Sequence, residues 1–140
     1  MLSDTLVTNE IKNSAGTEVE FRRIDTGPGR KTVLAQVAEA PSAQHRLTVQ
    51  HQEIGTGLKK RRRSNVRFDK TVISSVDSST PVVITSSIVL DSPVGALTTS
   101  AEMAHVLAEL VSFVASLGAS TTILYDGTGN GALCLLNGDL

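Results

Sequence analysis

LKKRRRSNVRFDKTVI, residues 58–73, decides how the chain is read. Val66 and Phe68 mark one side of this stretch, and Arg61, Arg63, Asn65 and Arg67 mark the other. That is the period-two pattern of a β-strand with one apolar face and one polar face. Upstream, Gly55-Thr56-Gly57 is a hairpin connection, and His45 to Ile54 alternates again. Leu47, Val49 and His51 share one side of that strand; Arg46, Thr48, Gln50 and Gln52 share the other. Further back, the breaker Gly27-Pro28-Gly29 precedes a β-rich run from Thr32 to Val37, which Pro41-Ser42 closes. Thr5 to Ile11, the turn Asn13-Ser14-Ala15-Gly16 and the alternating Glu18 to Arg22 predict an N-terminal hairpin. Downstream, the polar loop Val76 to Thr80 leads into a β-branched strand from Pro81 to Asp91. Its Val82, Ile84, Ile88 and Leu90 lie on one side and Val83, Thr85, Ser87 and Val89 on the other, and Pro93 and Gly95 end it.

After Gly95 the periodicity changes. Thr99 and Glu102 have capping-box spacing, with Thr99 as N-cap. The helix they open is predicted to run to about Leu117, with Gly118 as its stop. Its polar residues Glu102, His105, Glu109, Ser112 and Ser116 recur every three or four positions and form one narrow stripe. All other positions from Ala101 to Leu117 are apolar. Such a helix must be covered on more than one side, and one small sheet covers only one. The remainder calls for a second subunit. Met103, Val106, Leu107, Leu110, Val111, Phe113 and Val114 are the expected dimer interface. Thr121-Thr122 and an apolar Ile123-Leu124-Tyr125 follow, then a flexible or tightly turned Asp126-Gly127-Thr128-Gly129-Asn130-Gly131. A short helix from Ala132 to Leu136 stops at Asn137-Gly138.

Composition narrows the function. A chain of 140 residues suggests one domain with one respectable core. The only aromatics are Phe21, Phe68, Phe113 and Tyr125, which leaves little for a flavin pocket or a base-stacking platform. The single Cys134 excludes an intrachain disulfide; among Ala132, Leu133, Leu135 and Leu136 it reads as a buried thiol. The N-terminus lacks the basic and apolar regions of a secretory signal, and no apolar run is long enough to cross a bilayer, so a soluble protein of a reducing cytoplasm is expected.

Enzyme signatures are missing. No glycine loop has a P-loop ending, and the third glycine of Gly127, Gly129 and Gly131 comes too soon for a dinucleotide fingerprint. Asp126, Thr128, Asn130 and Gly131 imitate the start of a calcium loop, but Asn137 stands where the closing glutamate belongs. His45, His51 and His105 do not cluster in sequence, and Cys134 has no evident base. No catalytic residue, metal site or cofactor is expected, and no small-molecule substrate.

The net charge of −1 hides a strong asymmetry. Residues 1–70 carry all 13 lysines and arginines against 8 acids; residues 71–140 carry none against 6 acids. The centre of the basic half is Lys59-Lys60-Arg61-Arg62-Arg63, followed by Arg67 and Lys70. Such a run also protects a sheet edge from aggregation, or serves as a nuclear localisation signal. Nucleic acid is the favoured partner because the charges continue along a strand. Arg61, Arg63, Asn65 and Arg67 line up on one face, and Arg46, Thr48, Gln50, Thr85 and Ser87 extend it sideways. Arginine forks match phosphates, and the shorter polar side chains contact sugars and base edges.

An N-terminal hairpin, a five-stranded antiparallel meander and two C-terminal helices resemble, over essentially the whole chain, the coat proteins of single-stranded RNA bacteriophages of the levivirus type. The local anchors are Leu47-Thr48-Val49-Gln50-His51, Arg63-Ser64-Asn65-Val66-Arg67-Phe68 and Leu135-Leu136-Asn137-Gly138-Asp139. The resemblance implies an α+β fold with one coat-protein domain over 1–140: hairpin 1–26, sheet 31–92 and helical dimerisation region 99–140. It implies an intertwined dimer whose sheets join edge to edge and whose helices pack on the partner, and an icosahedral shell with the open sheet face toward packaged RNA. It implies a virion protein, assembled in the bacterial host cytoplasm, that also represses translation by binding an RNA hairpin. The Val76 to Thr80 loop matches the loop that meets neighbours around the shell's symmetry axes. The aromatic with which the family stacks an RNA base has no counterpart between Val83 and Ser87, so generic packaging is the firmer expectation. The alternative is a non-viral dimeric RNA-binding regulatory module, which the basic strand supports equally.

Overall fold

The computed structural model describes residues 3–95, 97–116 and 123–138. The strands are β1 (Thr5–Leu6), β2 (Phe21–Gly27), β3 (Lys31–Gln36), β4 (His45–Ile54), β5 (Arg61–Ile73) and β6 (Pro81–Pro93). The helices are α1 (Ser100–Val114) and α2 (Asn130–Asn137). The strands form one antiparallel sheet in chain order. The chain divides into two compact units, Met1–Ile11 with Val19–Leu97, and Lys12–Glu18 with Thr98–Leu140.

In the sheet unit, alternate residues of the central strands meet across the ladders. Leu47 lies opposite both Leu34 and Phe68, and Val49 opposite Val66. Leu6, Phe21, Leu34 and Leu47 form the buried cluster, with Ile11, Val19, Val49 and Phe68 packed against it. Phe21 is 0% exposed, with Phe68 and His45 against its ring edge-to-face at 5.8 and 5.1 Å between centroids. Burial, and then Lys70, lowers the pKa of His45, so the ring packs as a neutral aromatic. Truncating a fully buried Phe costs about 3–5 kcal/mol. Phe21→Ala is therefore expected to lose about that much in urea unfolding, a large share of a small domain's stability.

The hairpin and the meander are one sheet of six strands. Only Thr5–Leu6 of the expected first arm is regular strand, pairing with Arg22 and Phe21. Asn9, in the left-handed region at φ 69°, interrupts the rest. The strand expected from Leu58 begins at Arg61, because Gly57–Lys59 forms a 3₁₀ turn closed by the Lys60 N–H on the Gly57 carbonyl.

In the second unit, Asn13–Gly16 is the expected turn: Asn13 Oδ1 accepts from the Ala15 and Thr17 N–H groups. Thr99 caps α1 as expected, its side chain accepting from the Glu102 N–H. Leu117 and Gly118, the expected end and stop of that helix, lie outside the described residues, as do Thr121, Thr122, Asp139 and Leu140. Gly138 ends α2 at φ 72°.

The glycine-rich stretch before α2 is a close-approach device. A Cβ on Gly131 would sit 1.8 Å from the Phe113 carbonyl oxygen, and one on Gly129 would sit 2.4 Å from that of Ser116. The start of α2 therefore lies backbone to backbone on the end of α1. Asp126 Oδ1 accepts from the Thr128 N–H and hydroxyl at 3.0 and 2.6 Å and holds the turn that leads in. Gly131→Ala cannot be relieved by a side-chain rotation. It is expected to separate the two helices and to cost at least about 1–3 kcal/mol, read as a lowered thermal midpoint.

Candidate nucleic-acid interface

Ladder register brings the basic residues together. Directly opposed residues on neighbouring strands point to the same side of a sheet. Between β4 and β5, Arg46 opposes Asp69, Thr48 opposes Arg67, Gln50 opposes Asn65, and Ile54 opposes Arg61. Between β5 and β6, Arg67 opposes Ser87, Asp69 opposes Thr85, and Arg63 opposes Asp91. Arg46, Thr48, Gln50, Arg61, Arg63, Asn65, Arg67, Thr85 and Ser87 thus all lie on one face, on the side of the sheet away from the Phe21 cluster. Lys31, opposite Gln50, joins them, as do Val33 and Val89.

The five-residue basic run splits by parity. Arg61 and Arg63 face the polar side, whereas Arg62 opposes Glu53 on the other. There Glu53 gathers Lys60, Arg62 at 2.9 Å and Arg30 at 3.7 Å. Hydrogen bonds from Lys60 and then Arg62 hold its carboxyl down at about 2. A carboxylate whose folded pKa is depressed stabilises the fold above its ordinary range and loses that contribution as pH falls toward the folded value. The difference in thermal midpoint between the wild type and Glu53→Gln is therefore expected to be full at pH 6 and to vanish between pH 4.5 and about 2. A difference that persists unchanged at pH 2 would mean that it does not come from the ionised Glu53 cluster, and no difference at pH 6 would mean that the cluster is not formed in solution.

Carboxylates are interleaved with the cations of the polar face. Asp91 takes Arg61 Nε on one oxygen at 2.8 Å and Arg63 Nη2 on the other at 3.1 Å. Arg61 also donates to the Asp91 carbonyl at 3.0 Å. Asp69 accepts from Arg67 Nε at 2.8 and 2.9 Å and from the Thr85 hydroxyl at 2.6 Å. Arg46 pairs with Glu39 at 2.6 Å. The hydrogen bond from Arg67, then that from Thr85, holds the Asp69 carboxyl below its usual range, and Arg61 and then Arg63 do the same for Asp91. The side chains of Arg61, Arg63 and Arg67 are 50, 53 and 49% exposed, so the pairs are open to competing anions. Two polar atoms here have no hydrogen-bond partner among the described residues, Arg46 Nε and Asn65 Oδ1. A shallow depression of about 460 Å³ on this face is lined by Lys31, Val33, Gln44, Arg46, Thr48, Arg67, Asp69, Thr71 and Val83.

Sequence reasoning missed Lys31, Asp69 and Asp91 on this face. Asp69 was within reach, being two positions beyond Arg67 and so of the same parity. Asp91 lies 30 and 28 residues from Arg61 and Arg63, and only the β5–β6 register brings it there.

Two apolar surfaces stand open, one in each unit. β6 pairs with β5 alone among the described residues, and every residue from Pro81 to Val89 is exposed. On α1, Val106, Leu107, Leu110, Val111 and Phe113 are exposed and Met103 and Val114 half-buried, with Val106 at 58% and Phe113 at 52%. No described residue of α1 is buried within the chain.

No protein-family model matches the chain, and no curated protein matches it by sequence. Solved structures do. The virus-like particle of Beihai levi-like virus 21 matches with TM-score 0.59 at 15% identity, over 75% of this chain and 80% of that one. That of Beihai levi-like virus 32 gives 0.57 at 18% identity, over 70% and 77%. That of bacteriophage GQ-112 gives 0.52 at 15% identity, over 91% and 88%. The fold is that of a levivirus-type coat protein. Identity this low fixes the backbone only. The arginine rows and their carboxylates are features of this chain, set on a levivirus-type sheet.

Proposed function

We propose that the chain is a capsid protein that dimerises, assembles an icosahedral shell and packages single-stranded RNA against its polar sheet face. The observation that carries this reading is the alignment of four arginines, a lysine and five shorter polar side chains on one face of a levivirus-type sheet. Arginine supplies bidentate phosphate contacts there, and Thr48, Gln50, Asn65, Thr85 and Ser87 supply contacts to sugars and base edges. The open apolar surfaces support a second copy. The β6 edge offers unpaired backbone donors and acceptors, which a twofold-related β6 satisfies by extending the sheet. The apolar side of α1 is then covered by the partner. Met103, Val106, Leu107, Leu110, Val111, Phe113 and Val114 form that contact, and the whole chain acts as one coat-protein domain.

In this reading the protein belongs to the virion, is assembled in the cytoplasm of a bacterial host and has a structural rather than an enzymatic role. The polar face of β6 presents Val83, Thr85, Ser87 and Val89, with no aromatic to stack a base. RNA is therefore held mainly through phosphate and shape, and translational repression through an RNA hairpin uses the same contacts. The test is expression of the protein alone in bacteria, followed by size-exclusion chromatography, electron microscopy and ultraviolet absorbance. Closed particles with a nucleic-acid absorbance peak are expected. A stable monomer at micromolar concentration defeats the proposal, and RNA-bound dimers without particles favour the regulatory module.

A further inference from the structure

We infer that Asp69 and Asp91 act as built-in competitors of phosphate, so that RNA binds by exchanging their carboxylates for its own phosphates along the arginine rows. The inference rests on the polar face being the RNA-binding face. Asp91 already does what a phosphate would do, one group held by two arginine forks through two oxygens. Arg61 and Arg63, alternate residues of one strand, stand about 6.8 Å apart, a row of cations that a chain of phosphates can follow. Asp69 holds the Arg67 fork and the Thr85 hydroxyl in the same way. In each site the carboxylate keeps the guanidinium oriented and covers it.

The consequence is a threshold set by valence. A tethered carboxylate competes at high effective concentration, so a single phosphate group displaces it poorly. An RNA strand displaces several at once and releases counterions with each phosphate. The exposure of the pairs makes the exchange accessible, because a surface ion pair holds little net energy against solvent and salt. The face thereby prefers polymeric RNA over mononucleotides, and its salt dependence is shallower than its five cations alone would give.

The test compares full-length wild type with Asp69→Asn and Asp91→Asn in equilibrium binding of a fluorescent single-stranded RNA, from 50 to 300 mM salt, with uridine monophosphate as competitor. Asp91→Glu, which restores the charge, and Asp77→Asn, in the β5–β6 loop, are the controls, and thermal melting checks the fold of each. Removing one competing charge is expected to tighten RNA binding about 5-fold at 0.1 M salt, to steepen the log–log salt slope by about 0.7, and to improve competition by the monophosphate. Asp77→Asn is expected to behave as wild type, and Asp91→Glu to bind RNA more weakly than Asp91→Asn and with a shallower salt slope. If wild type binds RNA and the Asn variants share its affinity and slope, or bind more weakly, the exchange is overturned while the RNA face stands. If no protein binds RNA, both fall together.

Discussion

Replacing Arg61, Arg63 and Arg67 together by Glu is expected to empty the particles of RNA. Each cation that neutralises a phosphate on a single strand adds about 0.7 to the salt slope, so three lost cations cost about 100-fold in affinity at 0.1 M salt. The introduced acids repel the same phosphates and add to that loss. The three side chains are half exposed and lie on the side of the sheet away from the Phe21 cluster, so the fold is expected to survive. Asp69 and Asp91 would lose their arginine partners, but at the surface rather than in the core, and Asp69 keeps the Thr85 hydroxyl. The measurement is the 260 to 280 nm absorbance ratio of particles or dimers purified in parallel, with a filter-binding salt series. A triple variant that retains as much RNA as wild type refutes the assignment of the face, however well the rest of the fold agrees.

The second large effect is expected on α1. Leu107→Asp with Leu110→Asp places two carboxylates per protomer in the proposed contact. Fully burying a leucine is worth about 1.5–3 kcal/mol, and a symmetric dimer counts each substitution twice. Leu107 and Leu110 are 36 and 42% exposed in the single chain, so covering what is left of four leucines is worth about 2–5 kcal/mol, or roughly 30- to 4,000-fold in dissociation constant, before any penalty for burying unpaired charge. Light scattering after size exclusion is expected to show monomers at micromolar concentration and electron microscopy no shells. Glu102→Gln, in the polar stripe, is the matched control. A double variant that still forms full particles would show that this side of α1 faces solvent.

Much of the levivirus-type fold was readable because its signals are local. The parity of Val66 and Phe68 against Arg61, Arg63, Asn65 and Arg67 fixed which side of β5 is apolar, and ladder register can only preserve parity. The Thr99 cap and the Gly138 stop are likewise set within a few residues. Three things were not legible. The irregular hairpin depends on Asn9 adopting positive φ, which its sequence permits but does not require. The glycines at 129 and 131 look like a loop; their reason is the α1 backbone lying where a Cβ would be. The Asp91 bridge needs register across two strands, since one residue of slip would move it to the other face. Charge counting found the basic half of the chain and missed that its arginines carry their own counterions.

The most direct measurement is a cryo-electron microscopy reconstruction of particles assembled by the protein alone in bacteria. The expected map has Arg61, Arg63 and Arg67 lining the inner surface against RNA density, β6 paired with a twofold-related β6, and the apolar side of α1 covered by the partner chain. A map with those arginines on the outer surface or buried against protein, or with α1 standing in solvent, contradicts it.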